Sequence, residues 1–195
     1  MNYEQHFDSF LKYRGRDLNG VGSAEVGNWC KHFSNKKVLD IGCGTGIPIS
    51  ILFNQNKNAM YGIDHSPKMI HAFQRNLPQA TYECGNILTS EFFNMKFDII
   101  IAWGVLFCFN SREQDLILSK ISSHLNTDGE FLFTAPIQKA KWTDIMTGQQ
   151  LESLGREHYI NLFKTKGLEL QREFQDSGEN DYFLLKKIVG KHEEL

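Results

Sequence analysis

The chain has 195 residues, of which 41% are hydrophobic and 23% are charged, and its formal net charge at pH 7 is -2. The length fits one domain with a sizeable core, and the composition is ordinary for a soluble globular protein. Lysine and arginine residues are scattered, so no dense basic patch favours a nucleic acid as the main partner.

Cysteine usage and hydropathy indicate the compartment. The cysteines form no C-x-x-C pair, which indicates free thiols in a reducing environment. No basic segment followed by an apolar run opens the sequence, and no run of about 18 apolar residues predicts a membrane span. We therefore expect a cytoplasmic protein without a membrane partner. The histidines lack the spacing of metal ligands, so no metal site is predicted.

Two helical patterns precede the first predicted strand. Aromatic and apolar residues recur at helical spacing from Tyr3 to Tyr13, and again from about Ala24 to Phe33. We interpret residues 1–35 as an N-terminal helical addition to a single domain that spans residues 1–195.

A short apolar strand then runs straight into a glycine-rich turn. Gly42, Gly44 and Gly46 form a G-x-G-x-G pattern preceded by Asp40, whereas the dinucleotide fingerprint would need a third glycine where Ile47 stands. Glycines let the backbone approach a ligand, and the following helix offers unpaired N–H groups at its first turn. This combination predicts a site for an adenosine-type cofactor.

The next predicted strand, 59–64, ends in an acidic residue. Asp64 stands about 20 positions beyond the glycines, where a carboxylate accepts hydrogen bonds from ribose hydroxyls in nucleotide-binding folds. Ser66 reads as the N-cap of the following helix, which carries Met69 in its first turn. These features support an adenosine cofactor without selecting one.

Asp40 and the G-x-G-x-G run resemble motif I of the class I S-adenosylmethionine-dependent methyltransferases. The resemblance implies an α/β fold: a single-domain, Rossmann-like, seven-stranded, mostly parallel sheet with helices on both faces and an antiparallel last strand. It implies S-adenosylmethionine as the cofactor. It also implies an acidic residue that accepts a hydrogen bond from adenine after the third strand, 80–84. Asn86 stands there instead, and its side-chain carbonyl can accept the same bond.

The resemblance extends to a set of cofactor-binding residues along the strand ends. This predicted set comprises Asp40, Gly42, Cys43, Gly44, Gly46, Asp64, His65, Met69, Asn86, Ile87, Ala102 and Trp103. Ala102 and Trp103 lie at the end of an apolar run that begins at residue 97, and such a run is typical of a central parallel strand. Ligands of such sheets bind outside the carboxyl ends of the strands.

The second half of the chain continues the alternation of helices and strands. Ser111 and Gln114 predict a capping box for a helix, and the turn 125–129 precedes a strand that ends at Pro136. A loop is expected over 141–148, then a helix from about Ser153 to Lys166. The chain is predicted to close with a hairpin of strands 168–176 and 181–189.

The predicted substrate walls converge on the carboxyl edge of the sheet. Families like this one often use an N-terminal addition as a lid over the substrate, so the resemblance makes residues 1–35 a candidate lid. The candidate substrate residues are Tyr13, Arg14, Trp103, Phe107, Trp142, Asn180 and Tyr182. Each aromatic residue among them is equally compatible with core packing.

The leading interpretation is methyl transfer to a small-molecule acceptor, driven by proximity and orientation. No catalytic residue is assigned, and His6, Tyr13 and Tyr159 are unranked candidates for a base. One alternative is a nicotinamide-dependent reductase, and another is a non-catalytic cofactor-binding module of the same fold. No nucleic-acid partner is expected, and the protein is expected to be a monomer or a homodimer.

Overall fold

A computed structural model describes residues 4–13 and 17–188, except for the side chain of Tyr13. The helices are α1 Phe7–Tyr13, α2 Ser23–Cys30, α3 Ile49–Gln55, α4 Pro67–Asn76, α5 Ser111–His124 and α6 Arg156–Thr165. The strands are β1 Lys37–Ile41, β2 Ala59–Asp64, β3 Thr81–Cys84, β4 Phe97–Ala102, β5 Leu125–Thr134, β6 Ala140–Thr143, β7 Gln150–Ser153, β8 Leu168–Gln175 and β9 Asp181–Lys187. Short 3-10 turns lie at Phe92–Asn94 and Leu106–Cys108.

Seven strands form the main sheet in the order β3-β2-β1-β4-β5-β9-β8. Neighbouring strands from β3 to β5 are parallel, whereas β9 runs antiparallel to both β5 and β8. The predicted seven-stranded, mostly parallel sheet with an antiparallel last strand is therefore confirmed. Because β1 and β4 are neighbours, the crossover connections leave the sheet in opposite directions there, which marks the usual ligand position.

Alternate residues of the central strands pack into separate cores on the two faces of the sheet. Ile99 and Ile101 of β4 lie with Val26 of α2 and Phe53 of α3 in one core. Ile100 of the same strand lies in the other core, together with residues of α5 and α6. The near-continuous apolar run of β4 follows from this burial on both faces.

Two predicted local features differ in the structure. Residues predicted as a loop include β6, which pairs antiparallel with β7 in a small separate hairpin, and α6 begins at Arg156 rather than near Ser153. The hairpin docks through Ser153, whose buried hydroxyl donates to the carbonyl of Pro136 at 2.6 Å. These four-residue strands depend on docking, and such contacts leave no periodic pattern in the sequence.

The capping box of α5 lies one residue earlier than predicted. Asn110 is the N-cap: its side chain accepts from the backbone of Glu113, and the Glu113 carboxylate accepts from the backbone of Asn110. Gln114, the predicted capping residue, is fully buried and donates to the carbonyls of Phe109 and Glu152. A glutamine with such partners in the core is unavailable for capping.

Within residues 4–13 and 17–188, no helix is long and apolar enough to cross a bilayer. The same residues contain no group of three or more His, Cys, Asp or Glu side chains placed to hold a metal ion.

Candidate functional site

The glycine turn lies between β1 and α3 and is fastened to the end of β2. Gly42, Gly44 and Gly46 all have left-handed backbone conformations, with φ of 69°, 53° and 78°. The backbone N–H groups of Gly42 and Cys43 donate to the carbonyl of Ile63 at 2.8 and 3.0 Å. The turn is therefore held at the carboxyl edge of the sheet by the neighbouring strand.

The three glycines of the turn have different surroundings. A Cβ at Gly42 would lie 2.6 Å from Val105, and a Cβ at Gly46 would lie 3.0 Å from Cδ2 of Phe73 on α4. The packing around the turn therefore requires glycine at both positions. A Cβ at Gly44 would meet only ordinary contacts, the nearest being Phe10 at 3.7 Å. Packing therefore does not require a glycine at position 44, whereas the left-handed backbone conformation favours one.

Asp64 lies beside this cradle at the end of β2. Its Oδ2 accepts a hydrogen bond from the backbone N–H of Gly44 at 3.0 Å, and its Oδ1 accepts from that of Ser66 at 2.9 Å. The Nδ1 atom of His65 is 3.5 Å from the same Oδ1. A carboxylate has about four acceptor positions, so capacity remains for a ribose diol. The acceptor capacity of Asp64 therefore fits the ribose of an adenosine cofactor.

Asp40 lies beneath the turn rather than on its surface. It is 3% exposed, and the hydroxyl of Ser50 donates to its Oδ2 at 2.5 Å. Burial raises the pKa of Asp40 to about 7; the Ser50 hydrogen bond opposes the shift, and the charge of Asp64 adds to it. Burial also raises the pKa of the Cys43 thiol well above its usual value. Contact of Asp40 with the cofactor stays a prediction.

The segment after β3 presents the predicted adenine contact. Asn86 is exposed, and its side-chain carbonyl accepts from the backbone N–H of Leu88 at 2.9 Å. The Nζ atom of Lys120 on α5 donates to the carbonyls of Ile87 and Leu88 at 3.1 and 3.2 Å. Lys120 therefore fixes this segment, a role that sequence reasoning missed because the contact crosses 33 residues.

The remaining predicted cofactor residues lie along the same edge of the sheet. Met69, Ile87 and Ala102 are buried, whereas His65 and Trp103 are half-buried. The residue after Trp103, Gly104, has a φ of 71° and open space on its Cβ side. The structure thus brings the predicted cofactor set to one edge, and each residue's contact with the cofactor stays a prediction.

Three of the predicted substrate residues form one hydrogen-bonded network. Trp103 donates its indole N–H to the Tyr182 hydroxyl at 2.8 Å, and both Tyr182 and Asn180 donate to Asp176. Tyr182 is only 1% exposed, so its hydroxyl is enclosed by these partners. Sequence reasoning missed Asp176, which looks like an ordinary turn residue. The substrate roles of the three stay predictions.

Two other predicted substrate residues form a separate pair. The rings of Phe107 and Trp142 are 5.7 Å apart between centroids, which joins the 3-10 turn after β4 to β6. The side chain of Gln149 strengthens this connection by donating to the carbonyl of Cys108 at 3.0 Å. Arg14 lies outside the described residues, as does the Tyr13 side chain.

Helix α1 lies across the glycine turn. Phe10 is beside Gly44, and the carboxylate of Glu4 accepts from the Ser66 hydroxyl and from the backbone N–H of Lys68 at 3.1 Å. A cleft of about 510 Å³ separates this segment from the β6–β7 hairpin. The residues that line the cleft are His6, Ser9, Asp144, Ile145 and Met146.

Known proteins share both the motif region and the fold. A family model described as a methyltransferase domain matches residues 38–129. A tRNA U34 carboxymethyltransferase of Aliarcobacter butzleri is 30% identical over 105 residues, which are 52% of this chain and 34% of that protein. The chain spans a third to a half of the length of the curated relatives that it matches.

Solved structures match along nearly the whole chain. Magnesium protoporphyrin IX methyltransferase from Synechocystis, with bound S-adenosylhomocysteine, has a TM-score of 0.75 at 17% identity, over 95% of this chain and 96% of that one. The cyclase SpnF has a TM-score of 0.74 at 15% identity, over 97% and 95%. Residues 38–129 thus match a methyltransferase family model, and the chain as a whole has the fold of these solved structures.

Proposed function

We propose that the protein binds S-adenosylmethionine at the carboxyl edge of β1, β2 and β4 and transfers the methyl group to a small-molecule acceptor. One observation carries the proposal: the backbone of the glycine turn is hydrogen-bonded to Asp64, the same carboxylate to which we assign the ribose contact. The family match covers this region, since it begins at residue 38 and continues to residue 129.

The chain's own residues account for the three parts of the cofactor. The absence of a side chain at Gly44 would let the ligand approach the backbone of the turn, the remaining acceptor positions of Asp64 suit two ribose hydroxyls, and Asn86 offers a carbonyl oxygen to the adenine amino group. When bound, the cofactor supplies a methyl group on a sulfonium, which a nucleophile displaces in line. Holding the acceptor at the correct distance and angle can supply about 7 to 11 kcal/mol of the barrier reduction.

Of the three candidate bases, the structure describes the side chains of two, His6 and Tyr159. His6 lines the cleft beside α1, whereas Tyr159 is fully buried and donates its hydroxyl to Gln114 at 2.8 Å. Burial raises the pKa of Tyr159 to about 12, which makes it a poor base at neutral pH. We therefore propose that His6 accepts the proton of any acceptor that starts protonated.

The cleft suits a small acceptor. Its volume of about 510 Å³ lies within the range of roughly 300 to 1,000 Å³ that is usual for small-molecule sites. Met146 and the exposed Ile145 give its rim an apolar part, while His6 and Asp144 give it polar groups. The net charge of -2 disfavours a polyanionic acceptor such as RNA, although one curated relative is named for a tRNA activity.

The first experiment is a calorimetric titration with S-adenosylhomocysteine. We expect wild type to bind, and Asp64→Asn to bind about tenfold or more weakly, because a charge-assisted ribose contact is lost. Asp128→Asn is the matched control: Asp128 is exposed, and its left-handed conformation, φ 62°, also suits asparagine. Its affinity should equal that of wild type. No binding by wild type would refute the proposed cofactor.

Two alternatives are separated by further ligands. Binding of NADH in competition with S-adenosylhomocysteine would favour the nicotinamide-dependent reductase. The cyclase SpnF has this fold, so the fold by itself does not establish methyl transfer. A screen of small-molecule and RNA acceptors with methyl-labelled S-adenosylmethionine distinguishes a methyltransferase from a non-catalytic binding module and identifies the acceptor class.

The proposal also includes the role of the N-terminal segment, the compartment and the oligomeric state. Residues 1–35 would act as the lid of a single domain in the cytoplasm, and the protein would be a monomer or a homodimer. The position of α1 across the glycine turn supports the lid, because Phe10 and Glu4 contact the elements that bound the cofactor site.

A further inference from the structure

We propose that Asp176 is a positioning residue that orients the indole of Trp103 through the hydroxyl of Tyr182. This role rests on the proposed function, because the orientation of Trp103 matters to the reaction only if the cofactor lies at the end of β4. Tyr182 would then act on the cofactor site through Trp103.

Trp103 occupies the edge at which a ligand would lie. It directly follows Ala102, the last residue of β4, and its side chain is half-buried. The backbone N–H of the next residue, Gly104, donates to the hydroxyl of Thr134 at 2.8 Å, which fixes the chain as it leaves the strand. Ligands of such sheets bind outside the carboxyl ends of the strands, so a fixed indole here forms a wall of the site.

A chain of two hydrogen bonds holds this indole. Trp103 Nε1 donates to Tyr182 Oη at 2.8 Å, and Tyr182 Oη donates to Asp176 Oδ2 at 2.8 Å. An ionised carboxylate only accepts, so the Tyr182 hydrogen points at Asp176 and the oxygen lone pairs are left for the indole. Because Tyr182 is buried, water does not compete for its hydroxyl. The carboxylate therefore sets the direction in which Tyr182 holds Trp103.

Asp176 is itself fixed by the turn between β8 and β9. Its Oδ1 accepts from the backbone N–H groups of Gly178 at 2.9 Å and Asn180 at 3.0 Å, and the Asn180 side chain donates to both carboxylate oxygens. Burial opposes the charge, but the hydrogen bonds from Asn180, Tyr182 and Gly178 outweigh it and lower the pKa of Asp176. Asp176 is thus an ionised acceptor at neutral pH.

The loop before α2 packs closely against this network. Gly22 is buried with a φ of 84°, and a Cβ there would lie 2.2 Å from Tyr182 Oη, 3.2 Å from Asp176 Oδ2 and 3.2 Å from Trp103 Cζ2. Only glycine permits such an approach. The three side chains therefore have little freedom to rearrange, and the network joins the proposed lid segment to the cofactor edge.

The test uses the indole N–H resonances of the full chain in ¹H–¹⁵N spectra. The three tryptophans give three signals, which Trp→Phe variants assign. In Tyr182→Phe and in Asp176→Asn, we expect the Trp103 signal to move upfield and its hydrogen to exchange faster with solvent. Calorimetry should show about fivefold weaker binding of S-adenosylhomocysteine, as loss of one oriented hydrogen bond implies.

Glu130→Gln is the matched control. The indole of Trp29 donates to Oε2 of Glu130 at 2.7 Å; Glu130 pairs with Ile99, whereas Trp103 follows the last residue of β4, so this similar pair lies away from the carboxyl edge. This change should move the Trp29 signal and leave both the Trp103 signal and the affinity for S-adenosylhomocysteine as in wild type. A general loss of stability in the variants would not reproduce that selectivity.

The results of these measurements test the positioning role, the hydrogen-bond chain and the proposed function separately. If Tyr182→Phe moves the Trp103 signal while affinity stays at the wild-type value, the positioning role is wrong. A Trp103 signal that does not move contradicts the hydrogen-bond chain itself. Failure of wild type to bind S-adenosylhomocysteine overturns the proposed function, and the positioning role with it. Should Asp176→Asn not fold, Tyr182→Phe decides, because it removes a single oxygen atom.

Discussion

The backbone N–H of Gly44 donates to Oδ2 of Asp64 at 3.0 Å, which joins the glycine turn to the end of β2. The other carboxylate oxygen accepts from Ser66 at 2.9 Å and so fixes the start of α4 as well. One side chain therefore shapes the cradle and also faces the proposed ribose position. Changes in the turn should consequently alter cofactor binding even where they leave the fold intact.

Gly44→Ala tests this separation of binding from folding. The left-handed conformation of Gly44 should cost an alanine about 1 to 2 kcal/mol of unfolding free energy, without a steric clash from the new methyl group. The methyl group would occupy the cradle, so we expect affinity for S-adenosylhomocysteine to fall about tenfold or more. Urea denaturation and calorimetry measure the two effects.

Gly167→Ala is the control for backbone strain. Gly167 has a similar φ of 64°, and a Cβ there would meet nothing closer than Lys187 Nζ at 3.6 Å. It lies between α6 and β8, so the same loss of stability should leave affinity unchanged. Equal loss of affinity in both variants would mean that strain, and not the cradle, weakens binding.

Lys120→Met tests the support of the adenine segment. The change removes two charge-assisted donors to the carbonyls of Ile87 and Leu88 while keeping most of the aliphatic length. Because the segment that carries Asn86 would lose its attachment to α5, we expect binding of S-adenosylhomocysteine to weaken about fivefold. Calorimetry measures the affinity, and S-inosylhomocysteine, which lacks the adenine amino group, should show a smaller loss.

The control for this change is Lys164→Met on α6, where the lysine is exposed. Affinity should then match wild type. Equal losses for S-adenosylhomocysteine and S-inosylhomocysteine in Lys120→Met would contradict a role centred on the adenine amino contact.

Asp40 predicts a pH dependence of stability. Its pKa is about 7 in the folded protein and 3.8 as an ordinary aspartate, so the folded state retains a proton that the unfolded state has released. The contribution of Asp40 to stability therefore falls as pH rises from about 4 to about 7. Asp40→Asn should gain stability relative to wild type between pH 5 and pH 7.5, by at most about 3 kcal/mol.

Chemical denaturation of both proteins at each pH measures this difference. The Ser50 hydroxyl can still donate to the amide oxygen of the asparagine, so the substitution preserves the hydrogen bond at Asp40 Oδ2. A difference in unfolding free energy that is the same at both pH values would show that Asp40 is ionised in the folded protein throughout this range.

Local patterns explain which features could be predicted. The glycine motif, Asp64 and the buried run of β4 are contiguous signals whose geometry follows from backbone conformation and strand burial. The β6–β7 hairpin could not be predicted in the same way, because its strands depend on docking contacts such as Gln149 with the carbonyl of Cys108, which crosses 41 residues. Short strands of this kind acquire their stability from tertiary contacts.

The same reasoning applies to the site. The predicted cofactor residues follow strand ends in the sequence, so topology alone brings them to one edge. The supporting residues do not: Trp103 and Tyr182 are 79 positions apart, and Lys120 is 33 positions from its partner Ile87. Only the folded chain reveals such pairs, since neither residue of a pair carries a local signal of its partner.

Phe10→Ala tests whether α1 acts as a lid. The ring of Phe10 lies beside Gly44, where a bound cofactor would be covered, while Glu4 fastens the start of the segment to Ser66. Loss of the ring should speed dissociation of S-adenosylhomocysteine about fivefold in stopped-flow measurements, because a buried aromatic contact stabilises the closed state. Phe163→Ala is the control: Phe163 of α6 packs on Phe133 and Tyr159, so its loss should lower stability but leave the dissociation rate unchanged. If the rate in Phe10→Ala equals that of wild type, α1 rests on the glycine turn without retaining the cofactor.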